Sequence, residues 1–287
     1  MTSKAEKEAF VWIWLPDETE PVVAGRLVAD NGNILFNYGK SYIDRIGDNK
    51  TTIAIYEPEL PLRAGLLNPP DGLTMPGCIR DASPDAWGRR VIINKKLGLK
   101  GEGTDTNELD ELTYLLESGS DRIGALDFQR SPTAHVPRVA NNVSIEELIE
   151  SAERVEKGIP LTPELDQALF HGSSIGGARP KALIQAHDKK YVAKFSSSTD
   201  LYSVVKAEFI AMRLAELAGL NVAPVKLTKA GNKDILLIER FDRVPKGDKW
   251  ARKAMVSALT LLGLDDMLAR YASYETLSEI IRRRFTD

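Results

Sequence analysis

The chain has a single cysteine, Cys78, among its 287 residues. One thiol cannot close an intramolecular disulfide, and a cysteine-based metal site needs several. The implied compartment is the reducing cytoplasm. Histidine is nearly as scarce: three side chains, at 135, 171 and 187, are too dispersed for a histidine metal cluster. No stretch approaches the ~20 apolar residues that a membrane helix requires. The N-terminal MTSKAEKEAF lacks the apolar segment of a signal peptide. An excess of either charge is also missing. The formal net charge is −3, so the surface as a whole offers no footprint for nucleic acid, although a local basic patch is compatible with it. There are no internal repeats and no low-complexity tract.

What is present is an ordinary globular composition. Apolar residues make up 43% and charged residues 28%, enough to build a core and too apolar for disorder along the whole chain. The length accommodates two modest domains. The sequence predicts an α+β fold: a β-rich domain over residues 1–140, a polar connection through Ser131–Asn142, and a second domain over 141–287.

The first part reads as β. Phe10–Leu15 and Val22–Val28 are apolar runs. Asp30-Asn31-Gly32-Asn33 is a hairpin turn, because Asn-Gly supplies the positive φ that tight turns need. Ile34–Phe36 returns as a third strand. Residues 57–85 are rich in proline and glycine and read mostly as loop. Asp85–Leu97 carries Trp87, Val91, Ile92 and Leu97 on one stripe and reads as a helix, as does Leu109–Leu116. Ser144-Ile-Glu-Glu147 is a capping box, and Thr162-Pro163 opens a further helix. Beyond residue 170, Ala182–Gln185 and Tyr191–Phe195 read as paired strands around a polar turn. Val204–Ala218 reads as a helix stopped by Gly219, and Ile235–Glu239 as a short buried strand. The tail Ala254–Phe285 is mostly helical, with Asp265-Asp266 as a helix N-terminal pair favoured by the dipole.

The chemistry-bearing stretch is His171-Gly-Ser-Ser-Ile-Gly-Gly-Ala-Arg-Pro-Lys181. Glycine lets backbone N–H groups approach phosphate oxygens, and nests of such groups bind anions. The Walker A spacing is absent. Three elements follow in order: Lys194 inside an apolar strand, Glu208 at the margin of a helix stripe made by Val205, Phe209 and Met212, and Glu239-Arg-Phe-Asp242 directly after a buried strand. Each has a plain structural reading: a surface turn, an ion pair worth ~0–1 kcal/mol, a solvated strand end. Together, a glycine loop, a strand lysine, a helix glutamate and an apolar strand entering a connector follow the order of a protein-kinase N-lobe. In that order the lysine holds the phosphates, the glutamate fixes the lysine, and the connector's backbone reads adenine.

Ser174–Lys181 resembles the phosphate loop of the HipA family of serine/threonine kinase toxins. Leu201–Val222, Leu236–Arg243, Asp85-Ala-Trp-Gly-Arg-Arg90 and Asp121-Arg-Ile-Gly-Ala125 resemble that family too, so the likeness covers most of the chain. It implies a β-rich HipA N-terminal domain followed by a protein-kinase-like N-lobe, related to the phosphatidylinositol 3- and 4-kinases, and the first C-lobe helices. It implies ATP binding by Ser174, Ile175, Gly176, Gly177, Ala178, Arg179 and Pro180, with Lys194 on the phosphates and Glu208 supporting it. Glu239 and Phe241 would contact adenine, and Asp242 would reach the ribose. Ser174 falls at the family's autophosphorylation position, where a phosphate adds about −1.5 to −2 charge and repels the nucleotide. Mg²⁺ is the expected metal, with its ligands beyond Asp287. The expected partners are a HipB-like helix-turn-helix antitoxin, operator DNA indirectly through it, and a protein substrate, in the family an aminoacyl-tRNA synthetase. The expected role is translation arrest and persistence.

The family's catalytic Asn-x-Asp loop and later metal-binding Asp do not occur in the sequence, so the expectation is a chain without activity by itself. Three alternatives stay open: a truncated piece of a kinase, a non-catalytic nucleotide- or antitoxin-binding module or one part of a split toxin, and a small-molecule kinase of related fold. Leu277, Ile280 and Ile281 are expected to be partly exposed. A radiolabelled autophosphorylation assay on the 287-residue chain checks the expectation of inactivity: background incorporation is the predicted outcome, and robust incorporation contradicts it.

Overall fold

A computed structural model of the chain describes residues 6–47, 51–97, 109–138, 145–156, 159, 179–186, 188–197, 200–231 and 233–285. In chain order the elements are β1 (Glu8–Ile13), β2 (Val22–Asp30), β3 (Asn33–Tyr38), α1 (Lys40–Asp44), α2 (Gly77–Arg80), α3 (Ala86–Leu97) and α4 (Glu111–Glu117). Then come β4 (Leu126–Gln129), α5 (Ile145–Glu156), β5 (Lys181–Ala186), β6 (Lys189–Phe195), α6 (Val204–Leu217), β7 (Val225–Ala230) and β8 (Lys233–Glu239). The chain closes with β9 (Arg243–Lys246), β10 (Lys249–Arg252), α7 (Ala258–Leu262), a 3₁₀ turn over Asp266–Tyr271, and α8 (Tyr274–Arg284). The fold is mixed α+β with several antiparallel sheets. No helix among the described residues is long and apolar enough to cross a membrane. The predicted helices opened by Ser144 and Thr162 begin outside the described residues; the first is seen from Ile145 onward.

Two compact units interleave along the chain. One is drawn from Lys4–Ser83, Ile123–Val136 and Ala251–Asp287, the other from Pro84–Arg122 and Pro137–Trp250.

The first unit is built on a sheet of order β3-β2-β1-β4. Its β2–β3 turn is the one the sequence predicts. Asn31 and Gly32 both have positive φ, 47° and 83°, matching the twist of the flanking strands. Period-2 alternation buries Ala9, Val11 and Ile13 of β1 and Ile34, Phe36 and Tyr38 of β3. Strand β4 is absent from the sequence expectation because two of its four buried residues, Asp127 and Gln129, are polar. Their burial is compensated: Asp127 Oδ2 takes Gln129 Nε2 and His135 Nε2, each at 2.8 Å. The His135 ring lies against Trp12 and Trp14, with centroids 5.4 and 5.3 Å away. The proline- and glycine-rich stretch contains one short helix, α2. The C-terminal helices belong to this unit, where Arg80 Nη1 donates to Leu264 O at 2.8 Å and Asp81 Oδ2 accepts from Ser257 N at 2.6 Å. Asp265 caps the 3₁₀ turn, its Oδ1 accepting from Met267 N at 2.9 Å. Of the three apolar residues expected to be partly exposed, Ile281 is exposed and Leu277 and Ile280 are half-buried.

The second unit centres on the sheet β5-β6-β8-β7. Trp87 and Val91 of α3 and Leu148 and Val155 of α5 pack with Ala182, Ala193, Phe195 and Ile235 of the strands. Helix α6 lies along β7 and β8. It ends in a Schellman closure, with Gly219 N donating to Glu216 O and Leu220 N to Ala215 O. Gly219 at φ 83° supplies the left-handed residue this needs.

Gly25 of β2 has no room for a side chain. A Cβ there would sit 2.2 Å from Asn37 O and 2.6 Å from the Phe36 ring. Because the first obstacle is backbone, Gly25→Ala is expected to destabilise the protein by about 1–3 kcal/mol, the usual range for overpacking. Urea unfolding checks this; an unchanged midpoint contradicts it.

Candidate functional site

Residues 174–178 of the glycine-rich stretch lie outside the described residues; Arg179 and Pro180 are described. Arg179 Nη1 donates to Asp200 Oδ1 at 2.6 Å, and Asp200 Oδ2 accepts Ser197 N at 3.0 Å. Pro180 O accepts Phe195 N at 3.2 Å. The chain leaving the stretch therefore enters β5 tied to the end of β6.

Lys194 and Glu208 are brought together. In β6 the side chains alternate, so with Ala193 and Phe195 committed to the Trp87 core, Lys194 must emerge on the other face. The facing element there is α6, which carries Glu208. Lys194 Nζ donates to Glu208 Oε1 at 2.6 Å, and each side chain is about a third exposed. The pair is close enough for a charge-assisted bond and open enough for an anion to approach the ammonium.

A second lysine, passed over in the sequence, stands beside it. Lys181, the first residue of β5, is the cross-strand partner of Lys194. It is buried, with Asp85 Oδ2 at 3.6 Å. Burial holds its ammonium down at about 8, Asp85 opposes that, and Lys194 and Arg90 add to it. Asp85 is pushed up by its own burial, against the pull of Lys181. Its other oxygen accepts Trp87 N and Gly88 N, each at 3.2 Å, and so opens α3. The signal that could have found Lys181 was its position: a lysine at the junction of a glycine-rich stretch and an apolar strand.

The connector after β8 is divided between outward and inward residues. Glu239 pairs with Lys189 at 2.6 Å, and Phe241 is 62% exposed. Asp242 points the other way. It is 5% exposed, its Oδ1 takes Arg240 Nε at 2.9 Å, and its Oδ2 takes Arg240 Nη2 at 2.8 Å and Arg243 Nη1 at 2.9 Å. The carboxylate that the resemblance assigns to a ribose thus holds two guanidinium groups. Sequence reading missed Arg240 and Arg243 because, written out, Glu-Arg-Phe-Asp-Arg looks like a solvated strand end.

Among the described residues no group of three or more His, Cys, Asp or Glu side chains could hold a metal ion, so no metal coordination is derived from them.

Residues 13–129 match the family model of the HipA N-terminal domain, and residues 173–287 that of the HipA-like C-terminal domain. A serine/threonine-protein kinase toxin HipA of Shewanella oneidensis is 33% identical over 100 residues, which is 31% of this chain and 23% of that protein. The fold resembles that of a chain in a solved complex from Shewanella oneidensis MR-1, described as the toxin–antitoxin system HipA, HipB and its operator DNA. That likeness has a TM-score of 0.58 at 20% identity and covers 94% of this chain and 60% of the other. The present chain therefore spans 23% of the length of the first of these relatives and 60% of the second.

The lowered ammonium of Lys181 has a consequence for stability. Below about pH 8 both folded and unfolded chains hold its proton, and the burial penalty is fully present. As pH rises through 8 toward the ordinary lysine value, the folded chain sheds the proton first. The unfolded state then binds more protons, so this group's contribution becomes more favourable with rising pH. Between pH 7.5 and 9.5 the stability of the wild type is expected to gain on Lys181→Met by about 1–2 kcal/mol. Urea titrations at the two pH values check this, and a constant difference contradicts it.

Proposed function

The chain belongs to the HipA family, carrying its N-terminal domain and its HipA-like C-terminal domain, and from that premise we propose that its second unit grips ATP for a serine/threonine kinase toxin. The observation that carries this reading is the 2.6 Å bond between Lys194 and Glu208. An ammonium fixed on a strand by a helix carboxylate, directly across from the end of a glycine-rich stretch, is a cation pre-set for phosphate oxygens.

In this reading residues 174–180 form the loop over ATP, with residues 174–179 offering backbone N–H groups to the triphosphate, and Ser174 is the autophosphorylation position. Lys194 binds the phosphates, and Glu208 keeps its ammonium from swinging to solvent. Glu239 and the exposed Phe241 take the adenine. Asp242 is reassigned from the ribose to the interior, where it holds the connector. ATP, when bound with Mg²⁺, supplies the phosphoryl group; the residues here bind and orient it. The wider role is that of a type II toxin: phosphorylation of a Ser or Thr on a translation-related protein, with an aminoacyl-tRNA synthetase as the family's expectation. Neutralisation falls to a HipB-like helix-turn-helix antitoxin, through which operator DNA is reached. The solved complex of a HipA, a HipB and operator DNA from Shewanella oneidensis supports the partner assignment.

Lys194→Met and Glu208→Gln separate this from a surface ion pair. Calorimetric titration with ATP is expected to show binding by the wild type. Lys194→Met should weaken it more than about tenfold, and Glu208→Gln by a smaller factor, tenfold corresponding to about 1.4 kcal/mol. Both variants should unfold near the wild-type midpoint, because exposed pairs stabilise little. Wild-type affinity in Lys194→Met would end the reading.

A further inference from the structure

The connector that presents Glu239 and Phe241 is held from beneath by a cluster of charges whose centre is not on the connector. Arg240 and Arg243, on either side of Phe241-Asp242, are both buried. Besides Asp242 they share a second carboxylate, Asp121. Arg240 Nη1 reaches Asp121 Oδ1 at 3.2 Å and its main-chain O at 3.0 Å, and Arg243 Nε reaches Oδ1 at 3.0 Å. The main-chain O of Arg122 accepts Arg240 Nη2 at 3.0 Å and also Arg243 Nη2. Asp121 Oδ2 takes a third cation, Lys190 Nζ, at 2.6 Å. Lys190 is itself tied to the connector, its main-chain O accepting Arg240 N at 2.8 Å.

Three cations thus meet two carboxylates below a segment whose next outward residue is a mostly exposed aromatic ring. Burying charges in this way stabilises little, since desolvation offsets much of the attraction. What such a cluster supplies is position. Every nitrogen of both guanidinium groups has an acceptor, so neither can rotate without breaking a charge-assisted bond. We propose that Asp121 is a positioning residue that sets the connector's backbone for recognition of a purine base and so determines base selectivity. This rests on the ATP-binding reading above. The logic is geometric: backbone groups discriminate one base edge from another only when they are held still, and a small misplacement is costly.

The test uses the full 287-residue chain, titrated with ATP and with GTP, comparing wild type with Asp121→Asn. The variant keeps the shape of the side chain and removes the charge that gathers the three cations. The expected result is a fall in the ATP-to-GTP affinity ratio of about fivefold or more in a protein that still melts cooperatively, which is about 1 kcal/mol of discrimination. A folded Asp121→Asn with the wild-type ratio overturns the proposal, even if its stability falls, because a purely structural brace would lower stability and leave selectivity alone. If Asp121→Asn does not fold, Lys190→Gln serves. It takes the ammonium away from Asp121 Oδ2 and from the face of Trp250 while leaving both guanidinium contacts to Asp121 in place; it should lower the ratio about two- to threefold, and an unchanged ratio there overturns the proposal as well. A wild-type chain that binds neither nucleotide overturns the ATP-binding reading itself and this inference with it. Binding with an unaltered ratio in the variant overturns this inference alone.

Discussion

Strand β6 has to put an ammonium somewhere. Ala193 and Phe195 are wholly or almost wholly buried against Trp87, and the two-residue alternation then drives Lys194 to the opposite face. Glu208 of α6 is there to receive it. A slip of one residue in the pairing of β6 would turn the ammonium into the Trp87 core and expose Ala193 and Phe195, losing apolar burial and a charge partner together. Core and ion pair therefore specify the same register.

Around that pair the second unit sets three further lysines against carboxylates from other segments. Lys181 faces Asp85 of the α3 N-terminus, Lys189 faces Glu239, and Lys190 faces Asp121. The degree of burial separates them. Lys189 with Glu239 and Lys194 with Glu208 remain open to solvent, whereas Lys181 and the two connector arginines are enclosed. The open pairs can exchange a protein carboxylate for a ligand's phosphate at little cost. The enclosed ones cannot, and they fix the frame on which the open ones stand. Lys181 and Lys194 lie directly across from one another, each against its own carboxylate, and of the two only Lys194 is open to an approaching anion.

Much of this was legible in the sequence where local chemistry decides it. Asn31-Gly32 announced its turn, Gly219 its helix end, and the alternation around Lys194 placed a charge that needed a partner. Reading Glu208 as that partner took the helix period, which sets it beside Val205 and Phe209, together with the kinase-like order of glycine loop, strand lysine and helix glutamate. What was not legible depended on distant contacts. Strand β4 looked polar because Asp127 and Gln129 are buried through His135 and each other, a fact of tertiary structure. The inward turn of Asp242 depends on Arg240 and Arg243 finding Asp121, more than a hundred residues earlier. Lys181 reads as the last residue of a loop, and only the β5–β6 register reveals it as the neighbour of Lys194.

In the proposed site the Lys194–Glu208 pair and the connector face one nucleotide. Native-state hydrogen exchange with and without ATP tests it most directly, since it reports on individual backbone segments. Added protection is expected to coincide on two separated stretches, residues 191–195 of β6 and residues 238–242 at the connector, at the same ATP concentration. Protection at neither stretch under conditions where ATP binds elsewhere in the chain would contradict it.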